Sequence, residues 1–170
     1  MEYILENIDE FQRLERQAQQ EHYSLTEELR GLEVKPGSIV LDAGCGSGLL
    51  SRHLVGLEKG LEIHACDQSD IRVGQAKKAS EGLGIHFFRS PLEEIELPDE
   101  SVDIVVCRFV FEYLKDPVAV AREFRRILRP GGIVYLIDLD GVFLDYWTAN
   151  GGLNKQIEKV KNNLDIDLYV

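Results

Sequence analysis

The sequence predicts an α/β chain built on a doubly wound, mostly parallel sheet, and three observations lead there. Short apolar runs alternate with amphipathic stretches between Val34 and Asp140. Several of the runs are continuous aliphatic strings, the pattern of strands covered by helices on both faces. Strand–helix alternation also requires crossovers, and crossovers of one hand make neighbouring strands parallel.

The bulk numbers bound this reading. A chain of 170 residues with 44% hydrophobic content buries one core, so a single domain is expected over 1–170. Its parts are N-terminal helices over 1–33, the sheet-bearing core over 34–140 and a helical segment over 141–170. A charged fraction of 29% weighs against disorder or a membrane span. Nineteen Lys and Arg against thirty Asp and Glu leave a net charge of −11. Such a surface repels phosphate backbones and anionic lipids, so neither nucleic acid nor membrane is an expected partner. Met1–Glu10 carries four acidic residues and no basic one, unlike a targeting peptide, and a cytoplasmic location is expected. Cys45, Cys66 and Cys107 are odd in number and lack metal-ligand spacing, which predicts buried thiols and no metal site.

Taken in order, Leu5, Ile8, Phe11, Leu14 and Ala18 recur at helical spacing and give the first helix an apolar face. Ser24 and Glu27 form a capping box for a second, burying Leu25, Leu29 and Leu32. Lys35-Pro36-Gly37 turns the chain into the first of five strands, Ser38–Leu41, Glu62–Cys66, Ile85–Phe88, Val102–Cys107 and Ile133–Ile137. Between them lie a helix over Gly48–Leu57, a Ser69-capped helix carrying Ile71, Val73, Ala76 and Ala79, and one opened by Asp116-Pro117 that buries Val120, Phe124, Ile127 and Leu128. Pro130-Gly131-Gly132 is expected to end that last helix. Arg122, Arg125, Arg126 and Arg129 near its end complement the helix dipole. His64 and His86 fall within strands and read as core positions rather than ligands.

The chemistry concentrates after the first strand, in Asp42-Ala43-Gly44-Cys45-Gly46-Ser47-Gly48. A loop between a parallel strand and its helix lies at the carboxyl edge, where ligands of such sheets bind. The third glycine of a dinucleotide fingerprint, needed for close helix–strand packing, is absent, because Leu49 stands three residues after Gly46. A carboxylate at Asp42 would repel a pyrophosphate, whereas a ligand with an ammonium and a sulfonium would be attracted. Asp67 closes the second strand, where an acid accepts hydrogen bonds from adjacent ribose hydroxyls.

Val40-Leu41-Asp42-Ala43-Gly44-Cys45-Gly46-Ser47-Gly48 resembles the first motif of class I S-adenosylmethionine (SAM)-dependent methyltransferases, whose domain is Rossmann-like. Leu97–Val106, Arg108–Pro117 and Arg125–Gly132 resemble later segments of the same family in the same order. The resemblance implies a cofactor cradle at Asp42, Ala43, Gly44, Cys45 and Gly46, with Asp67 on the ribose and Gln68 against adenine. After the third strand it implies an adenine contact at Ser90, Pro91 and Leu92, through the Ser90 hydroxyl or the Leu92 amide; the family's acid is not present there. Arg108 and Phe109 complete the set after the fourth strand.

Methyl transfer needs alignment more than an obligatory side chain, so no catalytic residue is assigned. Glu112 and Tyr113 are the base candidates in reach, and Gln17 resembles part of a helix that closes over the cofactor in relatives. The expected product is S-adenosylhomocysteine and the expected acceptor a small molecule, because no Asn-Pro-Pro-Tyr-like motif follows the fourth strand. Family members usually end in a long helix and a hairpin. Leu153–Leu164 reads as a helix, but Ile166–Val170 is too short for the hairpin, which is read as missing. Either the chain is truncated or a second subunit completes the sheet edge as a homodimer. Two other functions stay open: a SAM-binding protein without catalysis, and an NAD-dependent oxidoreductase of the same topology.

Overall fold

The computed structural model describes residue 16 and residues 24–138, without the Glu112 side chain. A short helix, α1 (Leu25–Glu28), precedes an alternating series. It runs β1 (Ile39–Ala43), α2 (Leu49–Leu54), β2 (Glu62–Asp67), α3 (Asp70–Ala79), β3 (His86–Arg89) and β4 (Val102–Arg108). A 3-10 turn (Phe111–Tyr113), α4 (Pro117–Ile127) and β5 (Leu128–Ile137) follow. The strands form one sheet in the order β3-β2-β1-β4-β5, with every adjacent pair parallel. This is the doubly wound α/β sheet that the alternation predicts.

Helices cover both faces. Leu41, Ala43, Val105 and Cys107 point toward α4 and pack with its Val120, Phe124 and Ile127. Val40, Ile63, Ile104 and Val106 point the other way, onto Leu25 of α1, the adjoining Leu29, and Leu50 and Leu54 of α2. Val73 and Ala76 of α3 extend that layer over Ala65 and Phe87. Between β3 and β4 the chain folds no helix; Leu92 and Ile95 of the connection fill the α4 side of the core instead. Arg126 holds this connection, donating to the Ile95 and Leu97 carbonyls at 2.9 Å while paired with Glu123 and Asp99. The arginines expected to answer the helix dipole thus include one that fastens a loop and another, Arg129, paired with Asp103.

The three side-chain caps form, although the Glu27 side chain pairs with Arg30 and does not complete the expected capping box. Ser24 accepts from the Glu27 N–H, Ser69 from Arg72 and Asp116 from Ala119. Several boundaries differ. β1 runs to Ala43 rather than Leu41, because Asp42 and Ala43 register against Ala65 and Cys66 on one side and Val106 and Cys107 on the other. The α2 helix stops at Leu54, short of Leu57. Pro130-Gly131-Gly132 does not end α4, which closes at Ile127; those residues lie inside β5. A proline is tolerated there because β5 is an outer strand of the described sheet and its register with β4 shifts between Leu128 and Ile133, leaving Pro130-Gly131-Gly132 out of the ladder. Ile71 is 53% exposed rather than on the apolar face of its helix. His86 is exposed and stacks on His64 at 5.2 Å instead of entering the core. The expected first helix around Leu5–Ala18, Gln17 and the C-terminal segment around Leu153–Val170 lie outside the described residues.

Gly48 caps α2 at φ +74, and a Cβ there would stand 3.0 Å from the Ala76 Cβ and 3.2 Å from the Phe87 ring. It therefore supplies the close helix–strand approach that the missing third fingerprint glycine was expected to deny. Replacing Gly48 with Ala is expected to cost about 2 kcal/mol, from the left-handed backbone and the clash together. Urea denaturation midpoints would measure it.

Candidate functional site

The winding direction reverses between β1 and β4, and ligands of such sheets bind beyond the carboxyl ends of the strands at that point. The loops leaving these two strands touch. A Cβ on Gly44, at φ +80, would lie 2.5 Å from a Val110 methyl, so only glycine fits. Phe109, beside it, holds φ +54 without being glycine, pinned by its N–H donating to the Ile137 carbonyl at 2.8 Å. Backbone held this way costs about 1–3 kcal/mol and persists only where surrounding structure over-determines it.

The glycine loop is strapped to the end of β2. The Gly44 and Cys45 N–H groups both donate to the Cys66 carbonyl at 2.9 Å. Next, the Gly46 N–H donates to Asp67 Oδ2 and the Ser69 N–H to Asp67 Oδ1, each at 3.0 Å. Asp67 thus fixes the loop and the start of α3 at once. An ionised carboxylate has about four acceptor sites, so this duty is compatible with meeting ligand hydroxyls as well.

Asp42 is not on the lip of the loop but beneath it, 2% exposed. As the fourth residue of β1 it shares the face of Val40 and turns toward α2, where the Ser51 hydroxyl donates to its Oδ2 at 2.5 Å. Burial pushes the Asp42 carboxyl up to about 6. Hydrogen bonds from the Ser51 hydroxyl and N–H oppose this, Asp67 adds to it, and Arg108 pulls it back. The same acid and burial hold three neighbouring thiols neutral: Cys66 is pushed up to about 12, and Cys45 and Cys107 are also raised. None of the three is a ready nucleophile.

The remaining predicted site residues divide. Gln68 is exposed at the edge of β2, its carbonyl accepting from Arg89 Nε at 3.0 Å. The Ser90 hydroxyl is 0% exposed, donates to the Glu94 and Pro91 carbonyls and accepts from the Glu96 N–H. It organises its own turn, which corrects the expectation that it reaches an adenine edge; the Leu92 amide is the alternative left. Pro91 is exposed and the Leu92 side chain is buried in the core. Arg108 is gripped through two nitrogens by Glu28, at 2.5 and 3.0 Å, and its guanidinium lies 4.2 Å over the Phe109 ring. Tyr113 is 53% exposed, and Glu112 stands in the 3-10 turn. Among the described residues, no group of three or more His, Cys, Asp or Glu is placed to hold a metal ion, and no helix is long and apolar enough to cross a membrane.

Sequence reasoning missed Ser51, Glu28 and Arg72, whose Nη1 would stand 3.4 Å from a Gly46 Cβ. Ser51 carried a signal, since it is the third residue of a helix whose cap is a glycine. Glu28 and Arg108 are 80 residues apart and carried none.

A raised folded-state value means that the native protein binds the Asp42 proton more tightly than the unfolded chain does. The associated stability is present below 3.8 and is lost as pH rises through about 6. Asp42→Asn, which cannot ionise, is expected to gain on the order of 2–3 kcal/mol at pH 8, shrinking as pH falls through that window. Denaturation at a series of pH values would test this.

A methyltransferase domain family matches residues 41–136. The chain is 30% identical over 100 residues to the ubiquinone biosynthesis O-methyltransferase of Parvibaculum lavamentivorans, covering 59% of this chain and 40% of that protein. Over 109 residues it is 35% identical to the malonyl-[acyl-carrier protein] O-methyltransferase of Yersinia pestis, with 64% and 39% covered. The chain therefore spans less than half the length of these relatives. Among solved structures, a putative methyltransferase of Haloferax volcanii in complex with the Trm112 activator superposes with TM-score 0.67 at 28% identity, covering 76% of this chain and 56% of that one. A SAM-dependent methyltransferase of Aquifex aeolicus gives TM-score 0.77 over 95% of this chain and 89% of its own, at 21% identity, which speaks to the fold alone.

Proposed function

The chain belongs to the methyltransferase domain family, and on that premise we propose that it transfers the methyl group of SAM to an oxygen of a small-molecule acceptor, releasing S-adenosylhomocysteine. The observation that carries this reading is the pair of carboxylates, Asp42 and Asp67, meeting under one glycine loop closely enough that Asp67 raises Asp42. One acid beneath the loop and one beside it oppose a diphosphate and suit a ligand bearing an ammonium and a sulfonium.

The residues present fit that group. Ala43, Gly44, Cys45 and Gly46 beside Asp42 are the residues assigned to the methionine portion; Val110 fills the space at Gly44, while a Cβ on Gly46 would meet only the Arg72 side chain. Asp67, held by the Gly46 N–H, is assigned to the ribose hydroxyls, and the exposed Gln68 and the Leu92 amide are assigned to adenine. Arg108 and Phe109 border the methionine end from β4. Bound SAM supplies a methyl carbon already activated by its sulfonium. The chain's own part is to hold donor and acceptor in line and keep water out. Glu112 and Tyr113 remain the candidates for taking an acceptor proton.

An oxygen acceptor is carried over from the names of the two relatives, both O-methyltransferases. The division into helices over 1–33, core over 34–140 and helical segment over 141–170 of one domain belongs to the same proposal, as does a cytoplasmic location. Pairing with a second copy along β5, the outer strand of the described sheet, is part of the same proposal. A monomeric mass by light scattering over a wide concentration range would overturn the dimer.

Calorimetric titration is expected to show SAM and S-adenosylhomocysteine binding and NAD not binding; the reverse result ends the assignment. Asp67→Ala is expected to weaken S-adenosylhomocysteine about tenfold or more, the scale of hydrogen bonds to a charged group. Methyl transfer from labelled SAM to a panel of phenols and carboxylic acids would identify the acceptor class. A protein that binds SAM and methylates none of them would favour a role in binding alone.

A further inference from the structure

We propose that Ser51 is a positioning residue for the cofactor site: from the first turn of α2 it holds the Asp42 carboxylate in one orientation, as an anion, beneath the glycine loop. The inference deepens the cofactor reading above and rests on it for its functional consequence, though not for its structural content.

The argument begins with a helix that cannot cap itself. The N-cap of α2 is Gly48, which has no side chain to accept the N–H groups left open in the first turn. Ser51 is the third helical residue, the place where an N-cap oxygen ordinarily receives a backbone N–H. Asp42, six residues before Gly48 and on a neighbouring strand, takes over that role. It accepts both the Ser51 N–H and, at 2.5 Å, the Ser51 hydroxyl. Ser51 is itself 0% exposed, so its hydroxyl has given up water for this contact. One residue therefore supplies two hydrogen bonds to the same buried acid.

The groups around Asp42 leave that role to Ser51. Asp67 on β2 is a like charge and opposes ionisation. Arg108 on β4 favours it, but Glu28 grips that guanidinium through both carboxylate oxygens. Cys45, Cys66 and Cys107 are held as neutral thiols. Removing the Ser51 hydroxyl takes away a donor without changing any charge, so a change in how Asp42 titrates would report that bond directly.

The test follows the Asp42 side-chain carboxyl by carbon-13 NMR in the whole protein, with calorimetric binding of S-adenosylhomocysteine over the same pH series. In Ser51→Ala the Asp42 midpoint is expected to climb by about one pH unit, and affinity at pH 6.5 to fall about threefold, with less loss at pH 8.5. Ser51→Thr, which keeps a hydroxyl, is expected to retain the wild-type midpoint. A residue that merely fills space would weaken binding equally at every pH and leave the midpoint alone, and that result overturns the proposal. Should Ser51→Ala fail to fold, Ser51→Cys keeps the volume with a weak donor and must also raise the midpoint; an unchanged midpoint there overturns the proposal equally. If the wild type binds neither SAM nor S-adenosylhomocysteine, the cofactor reading falls, while the NMR titration still decides what Ser51 does.

Discussion

A carboxylate buried at the end of the central strand organises the carboxyl edge of this sheet. Asp42 sits between two parallel neighbours, its backbone registered against Ala65 and Val106, while its side chain turns onto the face that α2 covers. Taking an anion out of water costs several kcal/mol unless hydrogen bonds and charge repay it. Here the return comes from the first turn of α2 and from Arg108, and it is incomplete, which is why the acid stays well above its ordinary range. The glycine loop spans the gap between this acid and the helix that answers it. Its conformation is therefore fixed from both ends before any ligand arrives, as a pre-organised site requires.

The same logic reaches outward from β4. Arg108 helps Asp42 only from a distance, because its guanidinium is committed to Glu28 and lies over Phe109. Glu28 is held a second time, its backbone carbonyl accepting from the Tyr135 hydroxyl at 3.0 Å. The segment of α1 is thus latched to the ends of β4 and β5, next to the strained Phe109. An ion pair with side chains 14% and 25% exposed is screened less than a surface pair. The N-terminal region and the ligand edge consequently share residues, although the two lie far apart in sequence.

What the sequence made legible and what it hid separate along physical lines. Strands β1 and β4, the glycine loop, Asp67 and the three caps were readable because each is set by local pattern: aliphatic runs, a turn that needs glycine, an oxygen that accepts from the third amide; β2 and β3 carry a more mixed pattern. β5 was shortened in prediction because Pro130-Gly131-Gly132 obeys turn chemistry locally; that stretch falls where the β4–β5 register shifts, and the regular ladder runs over the predicted Ile133–Ile137. Asp42 was recognised as functional yet expected at the lip, since loop or strand cannot be decided at that residue without its pairing partners. Ser90 looked available because a hydroxyl in sequence gives no sign of three partners within its own turn.

One inference from sequence fails while the conclusion it served survives. The absent third fingerprint glycine was an argument against a dinucleotide, on the ground that close packing of helix on sheet needs it. Gly48, one residue earlier, does that packing against Ala76 and Phe87, so the glycine count no longer separates the two ligand classes. Charge does. A diphosphate over this loop would face Asp42 below and Asp67 beside it, with Arg108 already taken by Glu28. A cationic ligand meets the same two acids as partners, and its arrival would favour the ionised form of the one that burial disfavours. The choice between ligands therefore turns on where two carboxylates lie beneath a loop whose glycines would admit either.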